Sequence, residues 1–150
     1  MISDLTLWRM CLVFSQQEGV WGWPTDREPN RPQRNCNPCD LRPPGGQTDF
    51  WAGQTGVDGR GFAIFPTLAL GFAAARTNFL AHIEAHPNQR MLQYIAGDEL
   101  KGTPLAGNPG AVGDWPGYAP ASDGNNPMAY CKAVCDCLRV PPDIRLGDLT

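Results

Sequence analysis

The stretch Gly61-Phe62-Ala63-Ile64-Phe65-Pro66-Thr67-Leu68-Ala69-Leu70-Gly71-Phe72-Ala73-Ala74-Ala75-Arg76-Thr77-Asn78-Phe79-Leu80-Ala81-His82-Ile83 changes character partway along. Phe62 to Phe65 is a short apolar run of strand length. Pro66 and Thr67 then suit the opening of a helix, since proline is tolerated in a first turn. From Leu68 the apolar residues recur at helical spacing: Leu68, Phe72, Ala75, Phe79 and Ile83 share one face. Gly71 and the alanines 73 to 75 keep that surface low enough for another element to pack close. The spacing therefore predicts a central buried helix that ends at His86-Pro87, because the residue before a proline avoids the helical region.

Upstream, residues 48 to 66 read as a small hairpin. Phe50-Trp51-Ala52 and Phe62 to Phe65 are its expected strands, and Val57-Asp58-Gly59-Arg60 carries the Asp-Gly turn signal. Residues 20 to 47 read as loop, since Pro29, Pro32, Pro38, Pro43 and Pro44 interrupt any helix. Trp21, Trp23 and the paired Cys36 and Cys39 argue that this loop is ordered. Residues 4 to 18 form the expected first helix, with Leu5, Trp8, Leu12, Cys11 and Ser15 facing inward. Ser3 or Asp4 caps its start, and Gly19 supplies a left-handed stop.

Downstream, a short helix is expected from Asn88 to Ala96, with Met91, Leu92 and Ile95 inward. Residues 101 to 126, rich in glycine and proline and containing Trp115 and Tyr118, read as an ordered surface loop. Asn126 caps a last helix with Pro127 in its first turn. Its expected inner face is Met128, Cys131, Val134, Cys135 and Leu138, and Pro141-Pro142 ends it. The fold class is thus α+β, mainly α: one domain over 1–150 with a small β-hairpin.

Composition bounds the function. The chain has 150 residues, a net charge of −3, 42% hydrophobic and 18% charged residues. A disordered segment would combine low hydrophobicity with high net charge. No apolar run reaches the length of about 18 residues that a membrane span needs. The arginines are scattered rather than gathered in a stripe, which excludes a general nucleic-acid footprint. The start, Met1-Ile2-Ser3-Asp4-Leu5, carries an acid where a secretory signal carries basic residues, so no export signal is visible.

Four blocks carry chemistry: Gln16-Gln17-Glu18-Gly19 at a helix end; Arg34-Asn35-Cys36-Asn37-Pro38-Cys39-Asp40-Leu41; Gly61-Phe62-Ala63-Ile64-Phe65-Pro66; and Ala119 to Pro127 before the last helix. A carboxylate at a helix C-terminus sits against a negative dipole end, an unfavourable place that hints at function. In order and spacing these blocks resemble a group of small lysozyme-like proteins of phages and bacteria. In that group a helix ends in Glu-Gly, and Arg-Asn-Asn-Asn-Pro-Gly-Asn-Leu and Gly-Phe-Ala-x-Phe follow. The order is also similar to glucosaminidases and lytic transglycosylases of the lysozyme superfamily. Cys36 stands where the group has Asn, and Cys39 and Asp40 stand where it has Gly and Asn. If that Gly needs a positive φ, Cys39 must adopt it under strain or by means of a disulfide.

The resemblance implies a lysozyme-like domain with the hairpin beside a cleft. It implies a glycosidase or lytic transglycosylase cutting the β-1,4 backbone of peptidoglycan or a related N-acetylhexosamine polymer, with Glu18 as general acid. A glycosidic oxygen leaves only when protonated, so the acid must hold its proton near neutral pH. An apolar wall and a negative helix end both favour that. Trp21 and Trp23 are expected to form the wall or stack on sugar. Asn35 and Asn37 are expected to bind the N-acetyl sugar or to hold Glu18, and they equally suit hydrogen bonding within their own loop. Gln54 and Tyr94 are expected to line the groove, with Phe62 as a further groove residue that more simply belongs to the core. Asp49 and Asp58 are candidates for a second carboxylate, with Asp40 a further one. Asp58 equally suits its turn, and Asp49 equally suits a solvated strand end. No cofactor and no metal are implied, since the chemistry needs protons and water.

The same fold without activity would be a glycan-binding or virion structural protein. The six cysteines are expected to form disulfides in an enzyme that meets cell walls, in an extracellular, periplasmic or virion-associated setting. A zinc-stabilised interaction domain is the alternative for them. A virion or immunity partner is compatible with the chain.

Overall fold

The computed structural model describes residues 1–22, 24, 26–45, 48–100 and 116–150. Trp23 and the expected loop residue Trp115 lie outside them. The described elements are α1 (Asp4–Gln17), α2 (Arg31–Arg34), β1 (Gly56–Val57), β2 (Ala63–Ile64), α3 (Leu68–Ala85), α4 (Met91–Ala96) and α5 (Pro127–Leu138), with short 3-10 turns at Gly97–Leu100, Ala121–Asp123 and Leu146–Asp148. The structure is mainly helical with one two-stranded antiparallel sheet, which is the expected α+β class at that level. No helix among the described residues is long and apolar enough to cross a membrane. The chain divides into two compact units, Leu7–Leu80 and Met1–Thr6 with Ala81–Thr150.

Helix α1 starts where Ser3 Oγ accepts from Thr6 N at 3.2 Å, a conventional N-cap. Its buried stripe is Leu7, Met10, Cys11 and Phe14, and Phe14 packs its ring on Phe79 at 4.7 Å. This corrects the expected face. Leu5, Trp8 and Leu12 are 69%, 38% and 48% exposed, while Cys11 and Ser15 are buried as expected. The helix carries apolar residues on two roughly opposite faces, so spacing alone offers two stripes.

Within Leu7–Leu80 the loop before the hairpin is not free of helix. Asn30 Oδ1 accepts from Gln33 N at 3.1 Å and Gln33 Oε1 accepts from Asn30 N at 3.1 Å, a reciprocal capping box that starts α2. Pro32 lies in the first turn, where its missing N–H is no loss. The hairpin is displaced from the expected one: Gly56 pairs with Ile64 and Val57 with Ala63. Phe50–Ala52 is not a strand. Asp58 accepts backbone N–H groups from Arg60 and Phe62 at 2.9 and 3.0 Å, so the loop closes tightly and the pairing falls on the residues next to it.

Helix α3 begins after Thr67, whose Oγ1 accepts from Leu70 N at 3.3 Å. It buries Ala75, Phe79 and Ile83 of the expected stripe, with Leu68 and Phe72 half-buried. Gly71 meets the motif loop: a Cβ there would lie 2.1 Å from Cys36 O and 2.6 Å from Pro38 Cδ.

In the other unit α4 is shorter than expected, because Arg90 bridges to Arg145 and Met91 N donates to Ile144 O at 2.9 Å. Met91, Leu92 and Ile95 are buried as expected. Tyr118 and Ala119 bond to the backbone of Tyr94 and Ile95 at 2.9 and 3.0 Å. Helix α5 is capped by Asn126, whose Oδ1 accepts from Ala129 N at 3.1 Å. Its inner face is Tyr130, Cys131, Val134 and Cys135, while Met128 is 47% exposed, contrary to expectation.

Candidate functional site around the end of α1

The C-terminal end of α1 is built as a Schellman motif. Gly19 takes φ of 75°, its N–H donates to Gln16 O at 3.1 Å, and Val20 N donates to Ser15 O at 3.2 Å. Glu18 is the last residue before that left-handed turn and is half-buried. Only the backbone turn of Gly19 permits this stop, and a Cβ on Gly19 would come 3.2 Å from Asn30 Nδ2. Asn30 Nδ2 donates to Gly19 O at 2.8 Å and Gln33 Nε2 donates to Val20 O at 3.1 Å. The capping residues of α2 are thus also the residues that tie α2 to the turn after Glu18.

The motif loop follows directly. Asn35 Nδ2 donates to Asp58 Oδ2 at 2.8 Å, and Asn35 O accepts from Phe65 N at 2.8 Å. Asn37 is fully buried: its Nδ2 donates to Leu41 O and Ala63 O, each at 2.9 Å, and its Oδ1 accepts from Leu41 N at 2.9 Å. Asn37 was expected to touch sugar; its amide is instead committed to the framework of the loop. Gln54 is likewise framework, accepting from Trp51 N at 3.0 Å and donating to Gly56 O at 2.9 Å. Asn35 is 6% exposed and acts on Asp58.

Arg31 stands at the middle of this polar cluster. Its Nε donates to Asp40 Oδ1 and Oδ2 at 2.9 and 3.0 Å, and its Nη2 donates to Asp40 Oδ2 as well. Its guanidinium carbon lies 3.6 Å from the Phe62 ring centroid, and that of Arg42 lies 4.2 Å from it. Phe62 is 6% exposed, so the core reading holds for it. Burial pushes the Asp40 carboxyl up, more than the Arg31 hydrogen bonds and charge push it down. The same hydrogen bonds push Arg31 up, helped by the charges of Asp40, Asp58 and Glu18. For Asp58, burial acts upward, but hydrogen bonds from Phe62 N, Asn35 and Arg60 N, with the Arg31 charge, outweigh it and hold the carboxyl below its usual value. A carboxylate with three donors keeps its charge.

Trp21 lies beside Glu18 in sequence and is 47% exposed. Its Nε1 donates to Ser15 Oγ at 2.8 Å, and its ring stacks with Phe72 at 6.2 Å between centroids. It thus presents an anchored aromatic face. Asp49 is exposed. Tyr94, expected to line a groove, is 1% exposed inside the other unit, between the His82 and Tyr118 rings at 4.3 and 5.7 Å. The residues brought together in Leu7–Leu80 are therefore Glu18, Arg31, Asn35, Asp40 and Asp58. Arg31 and Asn30 were missed by sequence reasoning; the Asn-x-x-Gln pattern at Asn30–Gln33 was the signal.

The positive φ values fall on Cys36 at 47° and Asp40 at 53°, not on Cys39. These two occupy positions where the resembling group carries Asn, the side chain that best tolerates the left-handed region after glycine. No disulfide joins the six cysteines in this structure. Cys39 Sγ lies 3.5 Å from Cys11 O, and the Cys131 and Cys135 sulfurs are 3.9 Å apart. Among the described residues no three His, Cys, Asp or Glu side chains converge as a metal site.

No protein-family model matches this chain, and no curated protein and no solved structure matches it.

Proposed function

We propose that the chain is a lysozyme-like glycosidase or lytic transglycosylase. Its substrate is the β-1,4 glycan backbone of peptidoglycan or a related N-acetylhexosamine polymer, met outside the cytoplasm or delivered with a virion. Glu18 is the general acid. The observation that carries this reading is the helix stop itself: Glu18 stands immediately after the last residue of α1, at the negative end of the helix, in a Schellman turn whose backbone α2 grips through Asn30 and Gln33. The negative helix end disfavours the ionised form and so favours a carboxyl that keeps its proton for the leaving oxygen.

Asp58 is the best of the three candidate second carboxylates, since Asp40 is committed to Arg31. Asn35 and two backbone N–H groups hold it ionised, so it can stabilise a developing oxocarbenium ion or orient water, whereas Asp49 has no such support among the bonds described. Two carboxyls whose surroundings push their protonation apart are the usual division of labour in such sites. Trp21 offers the stacking face.

A second reading has an observation in its favour. The Arg31 charge interacts favourably with the Glu18 carboxylate, which works against a protonated acid at neutral pH. A glycan-binding or virion structural protein on the same fold would use that charge pair for recognition. Mass spectrometry of purified peptidoglycan, incubated with the wild type or with Glu18→Gln over roughly pH 4 to 8, separates the two. The expected result is muropeptide release by the wild type alone, the fragment ends giving the bond cut. Release by neither protein would discard the catalytic reading; equal release by both would discard Glu18 as the acid.

A further inference from the structure

We infer that Arg31 is a positioning residue of this site, fixed by Asp40 and Phe62 so that one permanent positive charge stands beside both Glu18 and Asp58. Its consequence for catalysis rests on the glycosidase reading; its electrostatic content does not.

The geometry makes α2 a bracket. Asn30, immediately before Arg31, bonds the residue after Glu18. Asn35, at the other end of the same helix, bonds Asp58. The chain length between the two anchors is one helical turn, so Arg31 is held at the junction of the two carboxyl-bearing segments. Its side chain cannot swing away freely, because three hydrogen bonds to a largely buried Asp40 and the Phe62 ring confine it from two sides. Of the other charged groups packed there, Arg42 also lies over the Phe62 ring and its charge acts on Asp40. From α2, Arg34 Nη1 is turned to Pro29 O; from the loop, Arg42 Nη1 donates to Arg60 O at 2.9 Å. From α3, the Arg76 charge acts on the Cys11 thiol, which burial pushes up to about 12. The acids are Glu18 from α1, Asp40 from the loop and Asp58 from the turn. The Arg31 charge acts on all three.

A fixed cation beside an acid and its companion carboxylate lowers the proton affinity of both. In a bell-shaped rate profile, one limb reports the ionised group and the other the protonated acid. Arg31 therefore places the whole profile, moving both limbs to lower pH, rather than contacting the reacting atoms. For a separation of about 10 Å and an effective dielectric of about 50, the expected size is about 0.5 pH unit.

The test compares Asp40→Asn with Arg31→Met/Asp40→Asn. Both lack the buried Asp40 charge, so the pair differs in the Arg31 charge alone, and Met keeps an apolar stem over Phe62. Carbon-detected NMR titration of the side-chain carboxyls reads Glu18 and Asp58 directly, without substrate. Both are expected to titrate about 0.5 unit higher in the double variant. Arg31→Lys/Asp40→Asn retains the charge and is expected to titrate like Asp40→Asn. The inference is overturned if Glu18 and Asp58 titrate alike with and without the charge, or if the Lys variant follows the Met variant. Should the double variant not fold, the Arg31 Nε–H resonance of the wild type decides. It is expected to show inflections at the titrations of both Glu18 and Asp58, and a response to Asp40 alone overturns the inference. In the activity assay the double variant's pH profile moves upward by the same interval relative to Asp40→Asn. A carboxyl shift found in a protein that releases no muropeptide supports Arg31's role and fails the glycosidase reading.

Discussion

Replacing Asn37 by Ala is expected to unfold the motif loop before it alters any surface. The Asn37 amide makes three hydrogen bonds of 2.9 Å, all to backbone groups of Leu41 and Ala63, and the residue has no exposed surface. Truncation leaves one N–H and two carbonyls without that partner in a site water does not reach. Each such loss costs about 1–3 kcal/mol. The carbonyls can recover part of this by accepting elsewhere, so the total is about 4 kcal/mol, a large share of the 5–15 kcal/mol that holds an ordinary domain together. With a urea dependence of about 2 kcal/mol per molar, the unfolding midpoint falls by about 2 M. Equilibrium urea unfolding followed by circular dichroism measures it. Asn37→Asp should be at least as damaging, because a carboxylate cannot donate to the Leu41 and Ala63 carbonyls. A loss below about 1 kcal/mol for the Ala variant, together with weakened saccharide binding, would refute the framework role and return Asn37 to the substrate face.

Two further outcomes follow from the same unit. Gly71→Ala places a methyl 2.1 Å from Cys36 O, and should cost about 3 kcal/mol, read as a fall in melting temperature of roughly 6–12 °C. Asp58 has a depressed carboxyl pKa when folded, so its contribution is present above the unfolded carboxylate value and is lost as pH falls through the folded one. Stability measured from pH 6 down to about 3 should therefore drop less steeply in Asp58→Asn than in the wild type.

Much of the fold was legible because it rests on local rules. The stop of α1 at Gly19, the Thr67 and Asn126 caps, the span of α3 and the turn at Asp58 are each set by residues within four or five positions of one another. Three expectations failed where a local rule met a stronger one. Proline was read as forbidding helix, yet Pro32 sits in a first turn that a capping box secures. Phe50–Ala52 was read as a strand from its apolar content, yet the side chain of Asp58 closed the loop so tightly that pairing fell on Gly56–Val57. The inner stripe of α1 was placed on Leu5, Trp8 and Leu12, two positions along and so on roughly the opposite face of the helix from the buried Leu7, Met10 and Phe14.

The candidate site divides the same way. Glu18 at a helix end was readable from sequence, since helical period and a following glycine are enough to place it. Asn35 and Asn37 were singled out as a pair, but sequence could not say that one amide holds a carboxylate and the other holds backbone. Nor could it show that Arg31 reaches Asp40, or that Tyr94 is buried in a different unit. By itself the sequence determined where α1 and α3 begin and end and where α5 begins, because caps, left-handed glycines and Asx turns are satisfied by near neighbours. The tertiary structure alone decided which face each helix buries and which donor each buried acceptor receives, because those partners lie 9 to 26 residues apart and only packing brings them within hydrogen-bonding reach.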